Sequence, residues 1–441
     1  MKKNGFSTGF MYVILVFMAV GLGFLIFFNF RANKQQQASI EAAKAAALVT
    51  PTPEPTQTPV PSAEPVRNAD TVTLAFAGDL VGQAGLTTDA RQTSGDGVVT
   101  YDFTAELEGV RTALEGADLA ACTLVSTLTD AGDYDSYQMP SAMATAIRDV
   151  GFDLVNAATD HILDRGLEGL SETVGHLRNA GLGVLGAYDN ANRALLMANV
   201  NGVKVGFLSY TYSTATSTGG SQPVSIADNS WCLDLLTTDY MTTMETVDYT
   251  KIDADIAAMR EAGADIVVCF AYWWNNTQYY TEPRGNQIDV ADHLLESGVD
   301  ILIGGGVKSP QPIEVRTVER ADGNANCVVC YSLSNLMSCF TDTYTNISAV
   351  AQIEISRDMD NGDVWISAVS AEPLFMDYAE GNEVGSRYRL LNARETADAG
   401  QATPAIQTGV NDLHTLIGED YFREGGMALR FPYETDGGSE E

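Results

Sequence analysis

One phrase recurs along the middle of this chain: apolar residues at helical spacing, a glycine, then a short and continuously apolar run. MPSAMATAIRDVG precedes FDLVNAA, GLSETVGHLRNAG precedes LGVLGAY, DIAAMREAGA precedes DIVVCFAYWW, and IDVADHLLESG precedes DILIGGG. Glycine closes a helix because it takes the left-handed backbone without a Cβ penalty. An apolar run that does not alternate is a strand covered on both faces. Helix and strand in this order predict an α/β architecture with largely parallel pairing.

Ahead of these units, TVTLAFAGDL from Thr71 predicts a strand that breaks at Gly78-Asp79, and FTAELEGVRTALEGADLAACTL a helix, a stop at Gly116 and a strand. Asn201-Gly202 sits between two strand-like runs and predicts a type I′ hairpin; Asn361-Gly362 predicts a second one. Antiparallel pieces of this kind make the sheet system mixed. From about Glu380 the pattern is less regular, His414 included, and the acidic end DGGSEE reads as a disordered tail.

The N-terminal part is of another kind. Phe10 to Phe28 is nineteen uncharged residues, flanked by Lys2-Lys3 and by Arg31 and Lys34. At about 1.5 Å per residue such a helix spans roughly 30 Å, the thickness of a bilayer core. No small-residue cleavage pattern follows it, so the expectation is a single-pass, N-in anchor with the folded part outside the cytoplasm. Residues 35–50 continue as a stalk, and PTPEPTQTPVPSAEP (51–65) is an extended spacer that cannot pack a core. The expected organisation is thus a stub and membrane helix over 1–34, stalk and linker over 35–69, an α/β domain over 70–375 and an extension over 376–441.

Charge removes one class of partner. With 58 acidic against 25 basic residues and a net charge of −33, the chain repels a phosphate backbone, and nucleic acid is excluded as a partner. Six scattered cysteines make no disulfide scaffold. Cys327 and Cys330 form a CxxC inside an apolar strand, where positions i and i+3 face opposite ways, so buried thiols are expected there and not zinc. No GxSxG, P-loop or GxGxxG sits in a suitable setting.

The loops after the strands hold the chemistry, since a parallel sheet places ligands beyond its carboxyl ends. They carry Asp79; Thr123 to Val125; Thr159, Asp160 and His161 with Asp164; Tyr272, Trp273 and Trp274; and Gly304 to Lys308. Their order, with TLAFAGDL, ADLAACTL, GFDLVNAATDHILDRGLEGL, VGFLSYTY, ADIVVCFAYWW, GVDILIGGGVKSPQPIE and CVVCYSLSNL, resembles the CapA family of capsule and poly-γ-glutamate synthesis proteins. The likeness runs from about Thr71 to Ala371. It implies a metallophosphoesterase-like layered α/β/β/α sandwich with mixed sheets, and a role with a surface polymer or cell-wall fragment at the cell envelope.

That resemblance also implies a two-metal site, which needs Asp, Asn and His ligands from several loops. This chain departs from the pattern. Thr123 and Val125 stand for Asn-x-Glu, Thr159-Asp160-His161 for Asn-Asn-His, Tyr272-Trp273-Trp274 for His-Trp-Gly, and Gly304, Gly306 and Lys308 for Gly-x-His-x-His. The losses argue against a dinuclear centre and leave, as the metal option, one divalent ion (Mn, Fe or Zn) on Asp79, Asp160 and His161.

Each survivor has a structural alternative. Asp79 is either a turn cap or a ligand; His161 and Asp164 are either catalytic groups or the hydrogen-bonded frame of their loop. Tyr272, Trp273, Trp274, Arg284 and Lys308 are the candidate substrate contacts, rings for apolar contact and cations for an anionic group. Three functions stay open: a polymer-binding protein with a degenerate metal site, an active metal-dependent phosphoesterase-like hydrolase, and a non-catalytic envelope scaffold.

Overall fold

The computed structural model describes residues 68–132, 134–214, 223–273, 279–321, 323–379, 385 and 387–432. The apolar run 10–28, the stalk and linker up to residue 67, Trp274 and the acidic tail lie outside the described residues. Two sheets dominate. The larger contains β1 (Ala69–Val81), β4 (Leu119–Val125), β7 (Leu154–Asn156), β8 (Gly183–Leu185), β15 (Asn335–Met337), β16 (Ile347–Asp358), β17 (Val364–Tyr378), β18 (Tyr388–Asn392) and β19 (Met427–Ala428). The smaller contains β9 (Leu196–Val200), β10 (Val203–Thr211), β11 (Ile266–Tyr272), β12 (Ile301–Gly305), β13 (Pro310–Arg320) and β14 (Gly323–Leu333). Short pairs β2 (Arg91–Thr93) with β3 (Val99–Tyr101), and β5 (Thr127–Leu128) with β6 (Gln138–Met139), lie in the loops.

The larger sheet runs β18-β17-β16-β1-β4-β7-β8 and the smaller β13-β14-β12-β11-β10-β9. β1, β4, β7 and β8 pair parallel, as do β10, β11, β12 and β14; β16, β17 and β18 add antiparallel beyond β1, and β9 and β13 close the smaller sheet antiparallel. The five longer helices are α1 (Ala142–Val150), α2 (Gly166–Asn179), α3 (Tyr249–Glu261), α4 (Gly285–Ser297) and α5 (Pro404–Ile417).

Side-chain alternation decides the layering. Along β1, Val72, Leu74 and Phe76 enter a core shared with Val205, Phe207, Val268, Phe270 and Ile303 of the smaller sheet. Ala75 and Ala77 point the other way, into a core with Met143 and Ile147 of α1 and Leu177 of α2. On the far side of the smaller sheet, Val267, Cys269 and Leu302 meet Ile252, Ile256 and Met259 of α3 and Val290 and Leu294 of α4. The chain is therefore a mixed α/β/β/α sandwich, each buried Leu, Ile or Phe contributing about 1.5–3 kcal/mol.

Local expectations fare well where the signal is local. Asn201 and Gly202 take φ 48° and 94°, and Val200 pairs with Val203. The Asn361-Gly362 turn joins β16 to β17. Cys327 and Cys330 are buried free thiols on opposite faces of β14, one in the helix-side core and one between the sheets.

The expectation of irregularity after Glu380 is corrected. β18 extends the larger sheet, and α5 carries Ile406, Leu413 and Ile417 into the inter-sheet core. Thr403 caps α5 by accepting the Ile406 N–H, with Pro404 in the first turn. His414 lies in this helix, stacked on Phe422 with centroids 4.5 Å apart.

Candidate binding rim between the two sheets

Two rows of residues in register bring the strand ends together. In the larger sheet Asp79 lies beside Thr123, and Thr123 beside Asn156. In the smaller sheet Thr211 lies beside Tyr272, and Tyr272 beside Gly305. Asp79 ties the rows together: its Oδ2 accepts the Gly306 N–H at 2.7 Å. Two glycines permit this approach. A Cβ at Gly78 would lie 1.9 Å from the Ser334 carbonyl oxygen, and Gly306 holds φ +82°.

Burial pushes the Asp79 carboxyl up to about 7, against the Gly306 hydrogen bond, with Asp160 adding to the rise and Lys308 opposing it. Asp79 is thus no simple surface turn cap.

The loop after β7 forms its own frame. His161 Nδ1 and Asp164 Oδ2 share a hydrogen bond of 2.8 Å, and the ring of Tyr137 lies flat on the imidazole, centroids 3.4 Å apart. His161 Nε2 stands 3.7 Å from Asp160 Oδ1. Burial disfavours the imidazolium, yet the Asp160 and Asp164 carboxylates outweigh it and raise the His161 pKa. Burial also raises Asp164. Asp160 Oδ2 accepts the Tyr212 hydroxyl at 2.9 Å. The other oxygen of each acid, Asp160 Oδ1 and Asp164 Oδ1, is buried without a hydrogen-bond partner.

The smaller sheet faces this frame with rings. Tyr212 and Tyr272 stack in parallel, 7° apart and 6.2 Å between centroids, in a cluster with Val81 and Val125 that Tyr137, Met244 and Phe340 border. Lys308, half-buried, holds its Nζ 4.1 Å over the Phe340 ring and 5.4 Å over Tyr279. Burial lowers its pKa, with Asp160, Asp342 and Asp79 opposing.

Of the expected contacts, Asp79, Asp160, His161, Asp164, Tyr272 and Lys308 gather at one rim. Trp273 does not reach it. At 2% exposure it belongs to the helix-side core, its indole N–H donating to the Tyr331 carbonyl at 2.8 Å, because adjacent strand residues face opposite ways and Tyr272 takes the rim side. Arg284 is exposed at the start of α4, stacked 3.3 Å over the Tyr280 ring. Tyr137 and Tyr212 are the rim residues that sequence reasoning missed. Tyr212 had a signal, since it directly follows the end of β10 as Asp160 follows β7 and Lys308 follows β12; Tyr137, in a loop at φ 64°, had none.

The described residues do not assemble a full ligand set for a divalent ion. Among the described residues no three His, Cys, Asp or Glu side chains converge as ligands would. Gly306 engages Asp79 Oδ2, Tyr212 engages Asp160 Oδ2 and Asp164 engages His161 Nδ1, which leaves Asp160 Oδ1 and His161 Nε2, 3.7 Å apart, as the atoms an ion would take. The Lys308 ammonium adds positive charge to the same rim.

Comparison with known proteins agrees on the lineage. The family model for the bacterial capsule synthesis protein PGA_cap matches residues 73–339. The PGA biosynthesis protein CapA of Bacillus subtilis (strain 168) is 24% identical over 221 residues, 48% of this chain and 49% of that protein. The capsule biosynthesis protein CapA of Bacillus anthracis is 25% identical over 228 residues, 51% of this chain and 48% of that protein. The chain thus spans about half the length of the curated relatives it matches. Among solved structures, a 5′-nucleotidase precursor from Thermus thermophilus aligns at TM-score 0.39 and 12% identity, over 78% of this chain and 59% of that one. A Mycoplasma pneumoniae phosphatase aligns at TM-score 0.39 and 11% identity, over 69% and 93%. Scores that low decide nothing about this chain. The match over residues 73–339, which contains every rim residue from Asp79 to Lys308, shows that the chain belongs to the PGA_cap family of bacterial capsule synthesis proteins.

Proposed function

We propose that this chain acts in the synthesis, export or anchoring of a capsule-type polymer such as poly-γ-glutamate, and that its rim binds the polymer without hydrolysing it. The carrying observation is the placement of Lys308. Its ammonium lies 4.1 Å over the Phe340 ring, is attracted by Asp160 and Asp79 at the same rim, and can pair with a polymer carboxylate. The family membership supports the polymer class. The apolar run 10–28 serves in this reading as a single-pass membrane anchor, with the folded part outside the cytoplasm.

The hydrolase reading has one observation in its favour, the approach of His161 Nε2 to Asp160 Oδ1. One experiment separates the two. The purified chain is supplied with Mn, Fe or Zn and assayed for bound metal and for turnover of a generic phosphoester. The polymer-binding reading predicts no turnover above background; stoichiometric metal with turnover abolished in His161→Ala would overturn it. Resistance of the chain to alkaline washing of membranes tests the anchor, and full release would contradict it.

A further inference from the structure

The rim holds a cation and an anion that make no direct ion pair with each other. Among the described residues no carboxylate stands within ion-pair distance of Lys308 Nζ, whose near partners are the rings of Phe340 and Tyr279. Asp160 is 7% exposed, and its Oδ1 has no hydrogen-bond partner. A buried oxygen left unpaired is costly, more so when charged, so it is a place where a ligand donor gains. Both charges border one aromatic cluster. Phe340 lies under Lys308, Tyr212 donates to Asp160, Tyr137 covers His161, and Tyr272 stacks on Tyr212.

We propose that this rim recognises an α-amino-acid end group. The ligand carboxylate pairs with Lys308, its ammonium donates to Asp160 Oδ1, and its methylenes lie on the rings of Tyr272 and Phe340. A divalent ion at Asp160 would add a second cation to a rim that already holds the Lys308 ammonium, whereas a zwitterion brings a carboxylate to pair with it. Two charge-assisted contacts of opposite sign also fix the ligand's direction. The inference rests on the polymer-binding reading and sharpens it. In a γ-linked glutamate chain every unit has a free α-carboxylate, but only the unit at the amino end has an ammonium on the same carbon. The rim therefore reads a chain end and not the interior of the polymer.

Calorimetric titration of the full chain in metal-free buffer with tri-γ-glutamate, and with the same peptide acetylated at its amino end, tests this. The free peptide should bind about tenfold or more tightly than the acetylated one, as the loss of a hydrogen bond to a charged partner implies. Asp160→Asn should bind both peptides alike at the weaker affinity, and Lys308→Ala should bind neither. Because the peptide pair is compared on the unaltered chain, the result stands even where a variant does not fold. Equal binding of the two peptides would overturn the end-group inference and leave polymer binding intact. Absence of binding by either would overturn both. Saturable binding of Mn or Zn alone, lost in Asp160→Asn, would place a metal where the ammonium is assigned and overturn the inference.

Discussion

The larger sheet brings Asp79, Asp160, His161 and Asp164 to the rim; the smaller brings Tyr212, Tyr272, Gly306 and Lys308. The first group is an interlocked frame of acids and one imidazole, in which each side chain already holds a partner. The second is an aromatic floor with one cation at its border. Neither half is a site alone. Among the hydrogen bonds that join them are those from the Gly306 N–H to Asp79 and from the Tyr212 hydroxyl to Asp160. The difference shows how a rim can hold acidic groups under its floor: the opposite sheet satisfies one oxygen of each of these two carboxylates with an N–H or O–H donor.

The largest expected effect comes from breaking the floor's support. Trp273→Ala removes a fully buried indole under the smaller sheet and should cost about 3–5 kcal/mol in denaturant unfolding. A loss under about 1 kcal/mol would mean that the ring is not core.

Next comes Asp79, the residue that joins the halves. Burial lifts its carboxyl from 3.8 to about 7 in the folded chain. Between those pH values the unfolded chain gives up the proton first, so stability falls as pH rises through the window and the cost is complete above about 7. At roughly 1.4 kcal/mol per pH unit the whole effect is about 4 kcal/mol. Asp79→Asn, whose amide oxygen can still accept the Gly306 N–H, should lack this contribution and should exceed the parent chain in stability at pH 8. Identical pH profiles would show that Asp79 stays ionised when folded.

Within the frame, His161→Ala leaves Asp164 buried without its partner and should cost about 1–3 kcal/mol in thermal or denaturant unfolding. The smallest effect belongs to Arg284→Ala. An exposed guanidinium over Tyr280 should be worth under about 1 kcal/mol, and peptide affinity should not change. A tenfold loss of affinity there would move the site's edge towards α4.

Legibility of these features in the sequence follows the range of the interactions behind them. Asn201-Gly202 and the glycine-stopped helices are decided by neighbours in the chain, and both are found where the sequence places them. The division into two sheets is not local, because β1 meets β16 and β4 across long stretches of chain. The last helix was legible in Thr403-Pro404 and the spacing of Ile406, Leu413 and Ile417, but the polar residues around it hid the period. At the rim, the acids and Lys308 stood out by type. Which of Tyr272 and Trp273 faces the rim depended on strand phase, and the role of Tyr137 depended on a loop with no period at all.

The central claim is that the two sheets form a binding rim with Lys308, and not a metal centre, as its cationic element. Titration of the chain with a γ-linked glutamate oligomer in metal-free buffer tests it most directly. The account predicts saturable binding that disappears in Lys308→Ala. Binding that needs added Mn, Fe or Zn, or that survives the loss of Lys308 unchanged, would contradict it.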